Sequence, residues 1–225
     1  MTVILINPNS TEAMTATMLA AARAAAPTGL AVDGWTSRGG PAAIQGPEDG
    51  ARAAAPMLTL IDRAVAEGAT GAVIGCFDDT ALIPAARRAP FPVVGIGQAA
   101  FHFCALRGWR FGVVTTLSVS VPVIEDNLAG YGLAGFCARV RASGVPVLAL
   151  EDQPEAAGAA IRAEAETAWR EDDIDALILG CAGMARIADQ VRSAVQIPVI
   201  DPVEAAIGAF GWLRRPAVDH ISISS

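Results

Sequence analysis

One pattern runs through this chain twice, and that repetition limits what the chain can fold into. Each pass opens with a short apolar run, VILI at 3–6 and FGVVTT at 111–116. Each pass later reaches a second apolar run that stops at a Gly-Cys pair, Gly75-Cys76 and Gly180-Cys181, 105 residues apart. Such runs of Val, Ile and Leu predict strands buried on both faces, and the sequence between them carries helical spacing. In the first pass the strands are expected at 3–6, 30–36, 71–76 and 92–96. In the second they are expected at 111–116, 136–141, 175–181 and 197–201.

Helices are expected at about 12–26, 48–67, 80–89 and 98–107, then at 118–132, 154–170, 183–194 and 202–213. Asn9 and Glu12 have the spacing of a capping box. Met57, Leu58, Ile61 and Val65 mark one face of the second helix. Pro122 suits a first helical turn, and Gly108 suits a left-handed cap. The last dozen residues read as a loose tail. Strand and helix alternating four times in each half predict an α/β fold of two similar lobes. Each lobe is a parallel sheet of about four strands flanked by helices, and an internal pseudo-twofold places the active site between them. The expected lobes are residues 1–97 plus 208–225, and residues 98–207.

All 16 basic residues are Arg. Without lysine the chain cannot form a Schiff base, hold pyridoxal phosphate through one, or build a Walker-type phosphate loop. It has two histidines, His102 and His220. The first, in AAFHFCAL, reads as packed into a helix face, and the second falls in the tail. A multi-histidine metal site is hard to assemble from this stock, and no cofactor or metal is expected. The formal net charge of −7 gives no basic surface for nucleic acid. No apolar run is long enough to span a membrane. MTVILINPNS lacks the flanks of a signal peptide, so the expectation is a cytoplasmic protein with its four cysteines reduced.

A cysteine at the carboxyl end of a parallel strand sits where open α/β sheets bind ligands, and a helix start there favours thiolate. Two at matching positions imply a cleft with a thiol on either wall. Such a pair could hold a metal, act in redox chemistry or transfer protons. Metal thiolate sites usually need four ligands, and no CxxC spacing is present. In a proton-transfer pair, one thiolate takes a proton from carbon while the opposite thiol returns one to the other face. Cys104 and Cys137 lack such counterparts and read as structural.

The motifs NPNST (7–11), SRGGPAAI (37–44), GCFDDT (75–80) and LGCAGM (179–184) resemble those of the hydantoin and allantoin racemases, within the aspartate/glutamate racemase superfamily. The resemblance covers nearly the whole chain. It implies cofactor-independent racemisation of 5-substituted hydantoins, allantoin among them, with Cys76 and Cys181 as the two bases. The alternatives it leaves are an isomerase or decarboxylase of small dicarboxylates such as maleate, and an amino-acid racemase. Where amino-acid racemases of the superfamily carry Asn or Thr after each cysteine, this chain carries Phe77 and Ala182, an apolar flank suited to a neutral ring. Only Arg186 lies near a cysteine motif, which favours an uncharged substrate. The resemblance also implies that Ile44 lines the pocket for the C5 substituent.

The N–H groups at Phe77–Asp78 and Ala182–Gly183 are expected to face the enolate oxygen. Asn9 and Thr115 or Thr116, at the ends of the matching first strands, are expected to bind ring polar groups. Asp78 and Asp79 read equally as helix caps or as residues orienting the site. The expected partners are a small-molecule substrate and further copies of the chain in a homo-oligomer, with neither nucleic acid nor membrane.

Overall fold

Apolar strand sequence with no polar alternation needs cover on both faces, and the computed structural model, which describes residues 1–213, supplies it. The expected tail and His220 lie outside the described residues. Strands β1 (Thr2–Asn7), β2 (Ala31–Thr36), β3 (Gly71–Ile74) and β4 (Val93–Gly95) form one parallel sheet in the order β2-β1-β3-β4. Strands β5 (Phe111–Thr115), β6 (Cys137–Ala142), β7 (Ala176–Gly180) and β8 (Val199–Ile200) form a second in the matching order β6-β5-β7-β8. In each sheet the strand order reverses beside the first strand. The crevice at the carboxyl ends of β1 and β3, and of β5 and β7, is therefore the natural ligand position.

The helices are α1 (Glu12–Ala25), α2 (Pro47–Ala66), α3 (Leu82–Arg88), α4 (Ile96–Leu106), α5 (Val121–Gly130), α6 (Ala149–Asp152), α7 (Pro154–Glu171), α8 (Ala188–Arg192) and α9 (Pro202–Leu213). Residues on alternate sides of one strand enter different cores. Val3 and Leu5 join a central core, while Ile4 and Ile6 join an outer one under α2 and α3. A third core lies under α7 and α8. The central core takes residues from both halves: Met18 of α1, Phe101 of α4, Ile124 of α5, Phe111 of β5 and Phe210 of α9. Each fully buried phenylalanine contributes roughly 2–3 kcal/mol. The closing helices are shared between the two sheets. α4 stays against β4 but also packs against β7 of the second sheet, while α9 stays against β7, packs along α4 and sets Phe210 against Gly71 of β3.

Four local expectations change. The Asn9–Glu12 capping box does not form. The Asn9 side-chain oxygen accepts the N–H of Thr11 at 2.9 Å and the Asn7 amide at 2.8 Å, and Glu12 pairs with Arg38. The helix expected at 183–194 begins as a 3₁₀ turn at Ala182–Ile187, because the Met184 N–H bonds back to the Cys181 carbonyl, and becomes α8 only at Ala188. His102 is exposed rather than packed, on the outer face of α4 beside exposed Phe103 and Leu106. The short helix α6 was not foreseen. By contrast Gly108 has the left-handed φ of 68°, and Pro122 stands in the first turn of α5. Cys104 is buried in α4, and Cys137 is half-buried at the start of β6.

Candidate active site

The Gly-Cys pairs have a packing cause. A side chain at position 75 would strike the Met18 sulfur at 2.7 Å, and one at 180 would stand 2.9 Å from the Thr115 backbone. Glycine lets the strands close up there, and the next residue, cysteine, is carried to the edge of the crevice. Cys76 and Cys181 line one cleft with Asn9, Ile44, Asp78 and Thr116. A larger apolar concavity, about 780 Å³, runs between α4 and α9 and touches neither cysteine.

The cleft itself holds only about 30 Å³, less than a five-membered ring requires. Two covering loops explain this. The Gln45 side-chain oxygen accepts the N–H of Val147 at 3.0 Å, which ties the loop after β2 to the loop before α6. Ile44 and Val147 are the apolar surfaces these loops bring down over the cysteines.

Burial governs the thiols. Desolvation pushes Cys181 up to about 11 and Cys76 higher still, and the nearby Asp78 carboxyl adds to the rise in both. This reverses the expectation of a helix-favoured thiolate. No long helix points its start at either sulfur, because Cys76 precedes α3 by several residues and Cys181 precedes a 3₁₀ turn. The opposing contributions are hydrogen bonds: the Thr80 hydroxyl and Asp78 N–H to Cys76, and the Gly183 and Met184 N–H groups to Cys181.

The two adjacent aspartates divide sharply. Asp79 is buried, with a left-handed φ of 49°. Its carboxyl accepts the N–H groups of Gly97 (3.0 Å) and Gln98 (2.7 Å) and the Tyr131 hydroxyl (2.9 Å). It therefore caps α4, not the next helix, and joins the first half to α5 of the second. Asp78 faces the cleft, its main-chain carbonyl held by the Asn127 amide at 2.9 Å. Burial raises both carboxyls to about 7.

The family model described as Asp/Glu/Hydantoin racemase matches residues 3–210. This chain belongs to that family. It is a racemase, 43% identical over 203 residues to the hydantoin racemase of Rhizobium meliloti, covering 90% of this chain and 84% of the relative. Its fold is similar to the allantoin racemase of Klebsiella pneumoniae, with TM-score 0.89, 38% identity, and 93% and 86% of the two chains covered. It is also similar to the allantoin racemase of Pseudomonas fluorescens, with TM-score 0.87, 36% identity and 93% and 88% covered.

In this racemase the other expected site residues divide into those that face the cleft with free polar groups and those already committed. The Asn9 amide nitrogen has only the Met14 sulfur, at 3.5 Å, as partner. Thr116 lines the cleft with no hydrogen bond from its hydroxyl among the described residues. The Thr115 hydroxyl, by contrast, donates to the Gly180 carbonyl at 2.9 Å and is not available as a donor. Phe77 and Ala182 border the cleft, but both belong to the central core, and the Phe77 ring meets Phe101 edge-on at 5.3 Å. The Phe77 ring is therefore spent on the core, not on a substrate flank. Gly183 stands behind Cys181, not on the cleft wall, and its N–H serves the sulfur.

Ser120, at the start of α5, was missed by the sequence reading. It is buried, lines the cleft and has no hydrogen bond from its hydroxyl among the described residues. Arg186 is committed elsewhere, to Glu151 at 2.9 Å and to Thr17 at 3.1 Å, so no arginine lines the cleft. Among the described residues no cluster of three or more His, Cys, Asp or Glu side chains could hold a metal ion. No described helix is long and apolar enough to cross a membrane.

Proposed function

We propose that this racemase inverts C5 of 5-substituted hydantoins, allantoin among them, with Cys76 and Cys181 as a pair of opposed bases and without a cofactor. The observation that carries the reading is the pair of thiols at corresponding strand ends in one cleft with no cation in it. One thiolate takes the C5 proton: the C–H bond breaks, an S–H bond forms, and the electron pair delocalises into the ring carbonyl. The opposite thiol then gives its proton to the other face of C5, which leaves the enzyme with its proton on the first sulfur and the second sulfur ionised. That form is set to act on the opposite enantiomer, and a second turnover in the same direction first requires the first sulfur to lose its proton to solvent and the second to regain one.

The buried thiols make the thiolate scarce and, for the same reason, a strong base. Ionising a thiol of pKa about 11 at pH 7 costs about 5 kcal/mol. A hydantoin suits this cleft because the enolate formed at C5 is delocalised into a neighbouring carbonyl. Its oxygen needs donors, and the unused ones are the Asn9 amide and the hydroxyls of Thr116 and Ser120. Ile44 and Val147 suit an apolar C5 substituent. Dicarboxylates would require a fixed cation, and Arg186 is already paired. Assembly as a homo-oligomer in the cytoplasm is part of the same reading, and light scattering that reads a monomer mass would remove the first half of it.

The test uses pure D- and L-hydantoins in heavy water, followed by polarimetry and proton NMR. Cys76→Ser and Cys181→Ser should each abolish racemisation. Each should still exchange the C5 hydrogen of one enantiomer with retention, and the two variants should act on opposite enantiomers. Racemisation by either variant, or exchange of the same enantiomer by both, would sink the two-base reading.

A further inference from the structure

The polar groups of the cleft are lopsided. Apart from the sulfurs, the side chains that face it without a committed partner are donors at Asn9, Thr116 and Ser120, and one acceptor at Asp78. Among the described residues the Asp78 carboxyl has neither a hydrogen bond nor an ion pair. Its main chain is fixed on both sides, by the Asn127 amide on its own carbonyl and by the triple anchorage of Asp79 next to it. The carboxyl lines the same cleft as both sulfurs, within reach of a ring held between them.

We infer that Asp78 determines specificity by accepting a hydrogen bond from a ring N–H of the substrate, which makes the cleft select a neutral cyclic ureide over a carboxylate. This rests on the hydantoin reading above and deepens it. A cyclic ureide alternates N–H and C=O around its ring. It can therefore meet the hydroxyl and amide donors with its carbonyls and the lone carboxylate with an N–H, leaving no polar group of the cleft unpaired. Above pH 7, where the Asp78 carboxyl is ionised, a ligand bearing a carboxylate would set like charges together in a cleft with no cation to separate them. A site built around one N–H rejects an analogue lacking it far more strongly than a site defined by shape alone, because its own acceptor is left buried and unpaired.

The test is a cycle between the residue and the substrate atom. The N1-methyl and N3-methyl derivatives of one 5-substituted hydantoin are compared with the parent in wild type, Asp78→Ala and Asp78→Asn. Wild type should discriminate against one methyl isomer by about 10,000-fold in kcat/KM. That discrimination should fall at least tenfold in Asp78→Ala, while discrimination against the other isomer stays unchanged. A general electrostatic effect of Asp78 on the thiols would slow or speed all substrates equally and leave both ratios as they were.

The charge is tested separately with the ring-opened ureido acid of the same hydantoin as a competitive inhibitor. At pH 8.5, where the Asp78 carboxyl is ionised, it should bind Asp78→Asn at least tenfold more tightly than wild type. Asp78→Asn keeps the size of the side chain, so this arm stands even if the alanine variant does not fold. Unchanged ratios for both isomers, or unchanged inhibition by the ureido acid, overturn the assignment while the hydantoin reading stands. A wild type that racemises no hydantoin overturns both.

Discussion

The Thr80 hydroxyl donates to the Cys76 sulfur at 3.4 Å, and among the described residues it is the only side chain that does so. Cys181 has only backbone donors. Thr80→Val keeps the shape of the side chain and removes that one bond, so it perturbs a single arm of the pair. A hydrogen bond of this kind is worth about 1 kcal/mol. Its loss raises the Cys76 pKa by about 0.7 and leaves about fivefold less Cys76 thiolate at fixed pH. The more basic thiolate is also a better nucleophile, which returns part of the loss, so alkylation of Cys76 should slow about two- to threefold. Alkylation of Cys181 should not change.

Catalysis offers a sharper reading. The equilibrium constant of a racemisation is one, so kcat/KM must be equal in the two directions and cannot report on one arm alone. Isotope exchange can. In a Cys181→Ser background, Thr80→Val should slow C5 exchange of the surviving enantiomer. In a Cys76→Ser background it should leave exchange untouched. The measurements are iodoacetamide labelling resolved by mass spectrometry and proton NMR in heavy water. Equal slowing at both cysteines, or an effect in the Cys76→Ser background, would refute the one-sided role of Thr80.

Exhaustive dialysis against a chelator should leave the racemisation rate unchanged; a loss restored by a divalent metal would overturn the cofactor-free reading. Arg141 of β6 holds the nearly buried Asp172 beyond α7 with two bonds, at 2.5 and 2.7 Å, and also meets Glu164 at 3.1 Å. Arg141→Met should lower the unfolding free energy by about 2 kcal/mol, because it leaves the buried Asp172 carboxylate with only the more distant Arg139, at 3.6 Å. Urea titration measures this, and a loss below about 1 kcal/mol would mean that Arg139 closes on Asp172 and takes over the pairing.

The strands and the paired cysteines were legible in the sequence because both depend on local signals. A run of Val, Ile and Leu names a buried strand, and the Gly-Cys pair recurs at the ends of β3 and β7, where glycine lets the chain close up. What escaped depends on contacts between distant residues. The sign of the thiol shifts follows from how deeply the cleft closes, which is set by loops meeting through Gln45 and Val147, 102 residues apart. Asp79 could not be told from Asp78 because its partner Tyr131 lies in the other half. Ser120 carries no periodic mark in SVSVP, and the ring of Phe77 turned inward because Phe101 was there to meet it. His102 reads as a packed residue from its apolar neighbours, yet it occupies the side of α4 that the core does not need.

The sharing of α4 and α9 between the sheets also orders the folding of the chain. Domains tend to fold from the amino terminus as they are made. Here the first sheet cannot finish that way, because the surface around Gly71 is closed by Phe210, near the end of the described residues. The nascent first half covers part of that face with α1 but must leave the apolar surface around Gly71 open while about a hundred further residues are added. The helix that finally covers it arrives from the opposite sheet. Two halves that look like duplicated, separable units are thus dependent on each other for completion, and the first sheet is closed by α9, the last helix among the described residues, rather than by its own repeat alone.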